Sequence, residues 1–269
     1  MVATDGFLGE PSRPQLVRID VPLVRLPAAL DGFTIAQLSD FHYDEEFTIV
    51  PIRKAIEMVN GLRPDLIALT GDFVTIPAFA DYIDTAKWGA HAAEPCAEIL
   101  SQLRSRLGSF AILGNHDTDS DAPRVIHALQ SRGMTILENR AVPIEQAGKR
   151  LWLAGIADAL VGKPDLEGTL RQVPVGEPVV LLAHEPDFAD EASKHAVDLQ
   201  LSGHSHGGQV RFPIVGAPFL PELARKYPWG LYHVKAMTLY TNAGLGTIRL
   251  PIRFNAPPEV TLFTLKATG

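Results

Sequence analysis

The sequence is poor in cysteine, in positive charge and in long apolar runs, and each shortage argues against one structural feature or class of function. Cys96 is its only cysteine, so an intrachain disulfide is excluded, and a lone cysteine in a helix-like stretch is most often a small core residue. The formal net charge of −7 disfavours a nucleic-acid-binding surface, because neutralising phosphates requires clustered lysine and arginine. No apolar run reaches the length of about eighteen residues that can span a bilayer.

The N-terminus lacks the basic and apolar regions of a secretory signal peptide. Residues 3–14 are polar and contain proline and glycine, a composition typical of the junction behind a removed export signal or anchor. We therefore expect a soluble chain with residues 1–14 as a flexible lead-in. A cytoplasmic, a membrane-peripheral and an exported location all stay open at this point.

The composition predicts one folded domain over residues 1–269. Hydrophobic residues make up 46% of the chain and charged residues 20%, which lies in the ordinary globular range. The candidate ligand motifs described next extend from Asp40 to His206 without a linker rich in proline, glycine or serine. Dividing the chain there would dismantle the predicted site.

Seven candidate metal ligands recur in five short motifs, most of which follow a β-prone apolar run. The motifs are Asp40-x-His42, Gly71-Asp72, Gly114-Asn115-His116-Asp117, His184 and Gly203-His204-Ser205-His206. Each preceding run is short and bounded by turn residues, as buried strands are. Loops beyond the carboxyl ends of strands in open α/β sheets meet in one crevice. The five motifs therefore predict one site.

The ligand types indicate two divalent transition-metal ions. Asp40 and His42 are two residues apart, so an extended segment would point both at one cation. Asp72 is the candidate bridging ligand, because a carboxylate has two oxygens and two-metal hydrolases hold their cations about 3.5–4 Å apart. His204 and His206 could supply one ligand to each metal if the turn splays them.

The remaining candidates add a carbonyl oxygen from Asn115 and an imidazole nitrogen from His184. A mixed nitrogen and oxygen set suits manganese, iron, zinc or nickel better than calcium, and it does not decide among these four. His116 is adjacent to Asn115 and should project in another direction, toward the phosphate of a substrate. That position suits a general acid or a stabiliser of developing charge.

Each motif alone has an ordinary explanation. Gly-Asp is a common turn, and His42 by itself would be a loop residue. All five motifs in one order after β-like runs favour the metal site. Four histidines belong to no motif, and we expect them at the surface or in the core: His91, His127, His195 and His233.

Charged residues beside the motifs have competing interpretations. Asp44, Glu45 and Glu46 could hydrogen-bond a ligand, but a solvated acidic loop is favoured. Asp117 is equally consistent with orienting the neighbouring Asn-His pair and with no role. Arg253 could reach a phosphate or form an ordinary surface salt bridge.

The secondary-structure pattern alternates β and α in the first half of the chain, and strands predominate from Pro178 onward. Predicted strands include residues 15–23, 33–39, 65–70, 134–137 and 151–154. Predicted helices end at Asn60-Gly61, at Gly108 and, from an N-cap at Asp121, at Gly133. The pattern suggests two sheets packed face to face with flanking helices, although a single doubly wound sheet fits it as well.

The motifs resemble, at every position, the pattern of the calcineurin-like metallophosphoesterase superfamily, from about Phe33 to Gln209. The resemblance implies a four-layer α/β/β/α sandwich of two mixed sheets, with His116 catalytic. It implies one metal on Asp40, His42, Asp72 and His206, and a second metal on Asp72, Asn115, His184 and His204.

Longer stretches such as Leu-Gly-Asn-His-Asp and Gly-His-Ser-His-Gly-Gly-Gln-Val resemble the bacterial branch of small phosphodiesterases related to YkuE and YaeI, as does the tail from Asn242 to Val260. For that branch the resemblance implies export or membrane association in some members and, in one group, hydrolysis of UDP-2,3-diacylglucosamine in lipid A synthesis. Protein phosphatases of the superfamily carry Asp and Arg soon after Gly-Asp, whereas Phe73-Val-Thr-Ile-Pro77 follows here. The 5′-nucleotidases need a large further domain, so both roles are disfavoured.

Two predicted loops that start at the site are rich in aromatic residues. The first carries Phe79, Tyr82 and Trp88, and the second carries Phe212, Phe219, Leu220, Tyr227, Trp229 and Tyr232. Exposed rings would form an apolar lip for acyl chains or a bilayer, with Arg225 and Lys226 meeting anionic headgroups. Loops anchored by their own aromatic rings are the favoured alternative.

The predicted activity is hydrolysis of a phosphoester, with a phosphodiester favoured, by in-line attack of a metal-bridging hydroxide. His116 would protonate the leaving oxygen, and Asn115 would help to stabilise the transferring phosphoryl group. The substrate would be a small phosphoester or a phospholipid-like molecule. Two alternatives stay open: hydrolysis of UDP-2,3-diacylglucosamine or another lipid-linked pyrophosphate, and a non-catalytic scaffold with the same fold.

Overall fold

A computed structural model of the chain describes residues 9–76 and 89–269. Within these ranges the strands are β1 (Gln15–Leu23), β2 (Thr34–Leu38), β3 (Leu66–Leu69), β4 (Ser109–Ala111), β5 (Thr135–Ile136), β6 (Arg140–Gln146), β7 (Lys149–Gly155), β8 (Val179–Leu182), β9 (Leu199–Ser202), β10 (Gly230–Val234), β11 (Met237–Thr241) and β12 (Glu259–Ala267). The α-helices are α1 (Ile49–Leu62), α2 (Ala93–Leu100), α3 (Asn115–Ser131), α4 (Leu166–Leu170) and α5 (Ala189–Ala192). Short 3₁₀ turns occur at Glu10–Ser12, Ala28–Leu30, Ala90–Ala92, Pro186–Phe188 and His206–Gly208.

The strands form two six-stranded mixed sheets. The order in the first sheet is β1-β12-β2-β3-β4-β5, and only the β12–β2 pair is antiparallel. The order in the second sheet is β10-β11-β9-β8-β7-β6, with antiparallel pairs at both ends. In each sheet the strands that precede the ligand motifs are therefore parallel neighbours, and their carboxyl ends lie at one edge.

Alternation along the strands separates the apolar side chains into layers. In β3, Leu66 and Ala68 belong to the core between the two sheets, while Ile67 and Leu69 belong to the core under α1, α2 and α3. In the second sheet, Trp152 packs with the short helices α4 and α5 on the outer face. Because successive strand residues point to opposite faces, both sheets are buried on two sides. The predicted four-layer α/β/β/α sandwich is confirmed.

Helix α1 buries the predicted apolar positions Ile52, Ile56 and Val59. The predicted stop at Asn60-Gly61 was wrong, because the helix continues through Leu62, which packs on the helix-side core. Arg63 ends the helix in a left-handed conformation (φ 51°) and its N–H bonds to the carbonyl of Val59. Gly61 therefore lies in the last turn of the helix.

Helix α2 also differs from the prediction, since it ends at Leu100 rather than at Gly108. Leu103 packs on the helix-side core, whereas Leu107 packs on the core between the sheets. The backbone N–H of Leu107 bonds to the carbonyl of Asp65 at 2.8 Å. The helical spacing of these leucines therefore arises from a segment that crosses the edge of the sheet between two cores.

Helix α3 starts six residues before the predicted Asp121. Asp121 has non-helical dihedrals (φ −144°, ψ 76°) that kink the helix, and its carboxylate accepts the N–H of Arg124 at 3.1 Å. It therefore caps the second part of the helix as predicted. The unpredicted first part places Asn115 and His116 in the opening turn, next to the candidate site.

Strand β6 was not predicted. It is the edge strand of the second sheet and pairs antiparallel with β7. Pro143 lies within it, and proline in an apolar run argues against a central strand but is tolerated at an edge. In the described ranges, no helix has the length and apolar character needed to cross a membrane.

Candidate metal centre

The loops at the carboxyl ends of β2, β3, β4, β8 and β9 converge, and they carry the predicted site residues. Six of the seven candidate ligands form two clusters in which the potential ligand atoms lie within 4.8 Å of one another. One cluster contains Asp40, His42, Asp72 and His206, and the other contains Asp72, His184 and His204. All six residues are buried. Asp72 belongs to both clusters, so the described residues form two adjoining groups that could hold metal ions.

Nitrogen and oxygen atoms of different side chains lie close together in the first cluster. The Nε2 atoms of His42 and His206 are 3.0 Å apart, and His206 Nε2 lies 3.4 Å from Asp40 Oδ1. Asp72 Oδ2 lies 3.5 Å from His42 Nε2 and 3.2 Å from Nε2 of His184 in the second cluster. Two nitrogens each about 2.1 Å from one cation come this close, so the spacing fits a shared metal ion.

Hydrogen bonds on the outer side of the rings fix how three imidazoles face the site. His184 Nδ1 donates to the carbonyl of Thr70 at 2.6 Å, and His204 Nε2 donates to the carbonyl of Glu222 at 2.8 Å. His42 Nδ1 contacts Thr75 Oγ1 at 3.0 Å. A ring nitrogen that donates outward leaves the lone pair of the other nitrogen directed inward. This is the outer support that metal-binding histidines have.

Several buried polar atoms at the site have no hydrogen-bond partner among the residues that the structure describes. They include Asn115 Oδ1 and His184 Nε2. Leaving a buried donor or acceptor unpaired costs about 1–3 kcal/mol. The cluster of oxygen and nitrogen lone pairs therefore fits a divalent transition metal, and Asn115 offers the seventh candidate ligand atom.

The backbone reaches this arrangement through an unusual conformation. Five candidate ligands have positive φ: Asp40 (51°), His42 (40°), Asp72 (56°), His204 (67°) and His206 (53°). Non-glycine residues seldom adopt this region, although aspartate and histidine enter it more easily than most. The extended geometry assumed for Asp40 and His42 was therefore wrong, because left-handed turns rather than a pleat point both side chains into one cluster.

The glycines of the motifs allow the loops to approach closely. Gly71 has φ +97°, and a Cβ there would lie 2.6 Å from the backbone nitrogen of Gly114 and 2.7 Å from Nδ1 of His184. A Cβ on Gly114 would collide with Oδ1 of Asp72. Any side chain at these positions would push the loops apart and separate the clusters.

Asp117 joins the loop after β3 to the loop after β4 through hydrogen bonds to their backbone. Its carboxylate accepts the N–H groups of Phe73 (2.8 Å), Val74 (3.0 Å) and Gly114 (3.0 Å). Burial, and then the nearby charge of Asp72, raises the pKa of Asp117 to about 7. Of the two interpretations of Asp117, the structure places it as the residue that orients the loop before Asn115.

His116 lies beside the clusters without belonging to either. Its backbone N–H donates to Asp72 Oδ1 at 3.0 Å, and its ring meets the ring of His42 edge-on at 4.8 Å between centroids. Its Nδ1 accepts the N–H of Ile76 at 3.0 Å, so the proton of the neutral ring is on Nε2. His116 can therefore present an N–H to a group bound at the clusters.

Burial and mutual charge move the pKa values of the ligand residues apart. Burial raises the pKa of Asp40 to about 7 and lowers that of His42 to about 3 and that of His204 to about 4. Burial alone would raise the pKa of Asp72, but His184 and neighbouring histidines lower it well below its usual range. Burial alone would lower the pKa of His184, but the charge and hydrogen bond of Asp72, together with the charges of Asp40 and Glu185, raise it well above its usual range. A cation would replace the protons that these residues share.

Two buried carboxyl groups next to the second cluster were not predicted. Asp158 and Glu185 are both inaccessible to solvent, and burial beside Asp158 raises the pKa of Glu185 well above its usual range. Glu185 Oε2 accepts the N–H of Ala159, and Asp158 Oδ1 accepts the N–H groups of Leu160 and Val161, all in the loop after β7. Two adjacent buried carboxyls cannot both ionise, and no sequence motif signals such a pair.

The other sequence predictions have mixed outcomes. The predicted separation of His91, His127, His195 and His233 from the site agrees with the structure, which places none of them in either cluster. Asp44 accepts the N–H groups of Glu46 and Phe47, as expected of an acidic loop. Phe79, Tyr82 and Trp88 lie outside the described residues.

Both interpretations of Arg253 were wrong, because its side chain is fully buried. The guanidinium donates to four backbone carbonyls, those of Ala243, Gly244, Gly246 and Ala256. The loop that it gathers supports the first cluster, since the N–H of Gly246 bonds to the carbonyl of Asp40 at 2.7 Å. Arg253 therefore shapes the loop behind Asp40.

The fold and the two clusters define a metal-dependent hydrolase of phosphoric esters, and comparison with known proteins gives its family. The calcineurin-like phosphoesterase profile matches residues 33–208, and the chain belongs to this family. It is 38% identical to the uncharacterized metallophosphoesterase YkuE of Bacillus subtilis over 91% of this chain and 82% of YkuE. It is 32% identical to phosphodiesterase YaeI of Escherichia coli over 98% of this chain and 94% of YaeI.

A solved structure supports the fold. The protein TT1561 of Thermus thermophilus superimposes with a TM-score of 0.50 at 16% sequence identity, and the match covers 79% of this chain and 90% of TT1561. At this identity the likeness speaks for the architecture alone.

Replacing Arg253 with methionine should lower the free energy of unfolding by roughly 3–5 kcal/mol, because four buried carbonyls lose a charged donor. Urea unfolding followed by circular dichroism measures the change. Arg249→Met, at an exposed position of the same loop, is the control and should stay within about 0.5 kcal/mol of the native protein. Equal losses in the two variants would contradict the support assigned to Arg253.

Proposed function

We propose that the chain is a phosphodiesterase that works with two divalent transition-metal ions. The observation that carries the proposal is the pair of buried clusters that share Asp72. One metal would be held by Asp40, His42, Asp72 and His206, and the other by Asp72, Asn115, His184 and His204. Two such ions supply a nucleophile by lowering the pKa of a bound water, and they neutralise phosphate charge.

The residues of the chain orient the substrate and move the proton. His116 would donate its Nε2 proton to the leaving oxygen, since its Nδ1 is already occupied by the N–H of Ile76 at 3.0 Å. Asn115 would place its amide beside the transferring phosphoryl group while its oxygen binds a metal. The metal ions held by the ligands would supply the positive charge that keeps the phosphate of a small-molecule ester in place.

The preference for a diester over a monoester rests on similarity to a protein named as a phosphodiesterase, YaeI, along nearly the whole chain. The resident metals would be manganese, iron, zinc or nickel, since imidazole and carboxylate ligands accept all four. The single-domain organisation over residues 1–269 remains part of this proposal, because the loops that form the site come from both sheets.

The alternative enzymatic proposal is hydrolysis of UDP-2,3-diacylglucosamine or another lipid-linked pyrophosphate. The exposed Phe212 and Phe219, in the loop that follows His206, favour it. Detergent micelles that present such a lipid should then raise the rate well above that for a water-soluble diester. A non-catalytic scaffold is disfavoured, because neither a candidate ligand nor His116 has been replaced.

Metal content should follow the division into clusters. Native protein stripped with a chelator and reloaded with Mn²⁺ should bind two ions per chain, Asp72→Ala none, and His184→Ala and His42→Ala one each. Mass spectrometry of metals after gel filtration counts them, with circular dichroism to verify folding. His233→Ala, at an exposed position outside the clusters, should keep both. Equal metal content in Asp72→Ala and His184→Ala would argue against a shared carboxylate.

Activity tests the proposed function directly. Stripped protein reloaded separately with Mn²⁺, Zn²⁺, Ni²⁺ or Fe²⁺ should hydrolyse a chromogenic phosphodiester faster than the matching monoester. His116→Ala should lower turnover by about 10²–10⁴-fold, the contribution typical of a general acid, with its metal content intact.

Loss of metal in His116→Ala would contradict the role given to that residue. Inactivity of the native protein toward both esters with two metals bound would favour the lipid-linked substrate or the scaffold. His233→Ala is again the matched control and should keep full activity.

A further inference from the structure

Two loops next to the metal centre expose large apolar side chains. We call this surface the apolar rim and define it by five residues with their exposed fractions: Phe212 (49%), Ile214 (107%), Val215 (78%), Phe219 (85%) and Leu250 (60%). Scattered apolar side chains are ordinary on protein surfaces, whereas contiguous ones mark interaction sites. The rim therefore needs an explanation.

Hydrogen bonds join the two loops into one surface. Gln209 Nε2 donates to the carbonyls of Ile248 (3.2 Å) and Leu250 (3.1 Å), and its Oε1 accepts the N–H of Ile248 at 2.8 Å. The N–H of Arg211 bonds to the carbonyl of Phe254 at 2.8 Å. The rings of Phe212 and Phe254 pack at 6.0 Å between centroids. Leu250 is thus held beside the hairpin that carries Phe212, Ile214 and Val215.

The rim is rooted at the metal centre. The N–H of Gln209 bonds to the carbonyl of His206 at 2.9 Å, and the second loop bonds to the carbonyl of Asp40 through Gly246 at 2.7 Å. Arg211 Nη1 donates to the carbonyl of Gly207 at 2.9 Å. The first loop therefore continues directly from the segment that carries His204 and His206, and the second is hydrogen-bonded to the loop that carries Asp40.

The hairpin holds its tip in a conformation that its sequence disfavours. Phe212 and Gly216 exchange two backbone hydrogen bonds of 2.9 Å, which close a tight turn over Pro213, Ile214 and Val215. Ile214 has φ 74°, a left-handed conformation that is a genuine outlier for a β-branched residue. A strained backbone that points a fully exposed isoleucine into solvent is typical of a functional site.

Aromatic side chains hold in place only part of the loop that follows His206. Trp229 Nε1 donates to Glu259 Oε2 at 2.8 Å, Tyr227 OH donates to Asp190 Oδ1 at 3.0 Å, and Tyr232 OH donates to the carbonyl of Trp229 at 3.0 Å. These three side chains are half-buried and fix the base of the loop. Phe219 is exposed and Phe212 is half-exposed, so the expected anchoring fails for Phe219 and is only partial for Phe212.

The two loops of the rim carry arginine and no acidic residue. Residues 207–221 and 246–258 contain no acidic residue, although the chain carries a net charge of −7. Arg249 is exposed within the second loop. Glu10 approaches, but its carboxylate accepts the N–H groups of Asn255 and Ala256. Lys226, expected at a lipid surface, instead pairs with Asp190 at 2.7 Å.

We propose that the apolar rim docks the protein on the surface of an anionic phospholipid bilayer. Side chains that project fully into solvent from a tight hairpin suit insertion at the boundary between headgroups and acyl chains, which requires no matching pocket. Arg249 beside them suits anionic headgroups. The proposal goes beyond the proposed hydrolysis and does not depend on it, since docking needs no turnover.

Vesicle sedimentation with the full chain tests the proposal. The native protein should sediment with vesicles of phosphatidylcholine and phosphatidylglycerol, less with phosphatidylcholine alone, and less at high salt. The double variant Ile214→Ser/Phe219→Ser should weaken binding by at least about tenfold, and Arg249→Gln should weaken it only for anionic vesicles. Val175→Ser is the matched control, because Val175 is 105% exposed elsewhere on the surface, and its binding should not change.

Absence of native protein from the vesicle pellet would overturn the proposal, as would equal binding by the double variant. Sedimentation velocity without lipid covers the other occupant, a second copy of the chain. A native dimer that the double variant converts to a monomer, together with no binding to vesicles, would assign the rim to self-association. Diesterase activity measured on the same preparations keeps a failure of docking separate from a failure of the proposed function.

Discussion

The rest of the site depends on the buried carboxylate of Asp72. Its Oδ1 accepts the N–H of His116 at 3.0 Å, while its Oδ2 lies 3.5 Å from His42 Nε2 and 3.2 Å from His184 Nε2. A charge that leaves water must be compensated on every side. His42 and His116 come from loops of the first sheet and His184 from the second. Asp72 is therefore compensated only where both sheets bring their carboxyl ends together.

This arrangement makes the site unfavourable in free energy. Five ligand residues with positive φ each cost about 1–3 kcal/mol when the backbone is strained, and the carboxyl pair of Asp158 and Glu185 adds a buried group that must keep its proton. The three apolar cores of the sandwich hold the loops in place against that cost. Because burial opposes the ionisation of Asp40 while Asp72 favours the protonation of His184, the loops are built to receive positive charge.

The sequence predicts the architecture and the ligand residue types well, because alternation, turn residues and motif order are local signals. It does not predict what depends on distant packing. Helix α2 ends at Leu100 because the leucines that continue its spacing pack on two different cores. The left-handed turns at Asp40 and His42 depend on hydrogen bonds from their N–H groups to the loop after β3. Arg253 shows the limit most clearly, since an arginine near the end of the chain predicts a surface residue, whereas its acceptors are backbone carbonyls that only the folded loop brings together.

A buried amide beneath the site links the two sheets. Gln37 Nε2, in β2, donates to Thr70 Oγ1 at 3.0 Å within its own sheet and to the carbonyl of Ser202, at the end of β9, in the other at 2.9 Å. Its Oε1 has no partner among the described residues, but an apolar replacement would take a donor away from Thr70 Oγ1 and the Ser202 carbonyl. Apolar packing alone lets sheets slide, whereas a directional bond fixes one register. That bond joins the strand before Asp40 to the strand before His204, so it ties together the two sheets whose loops supply both clusters.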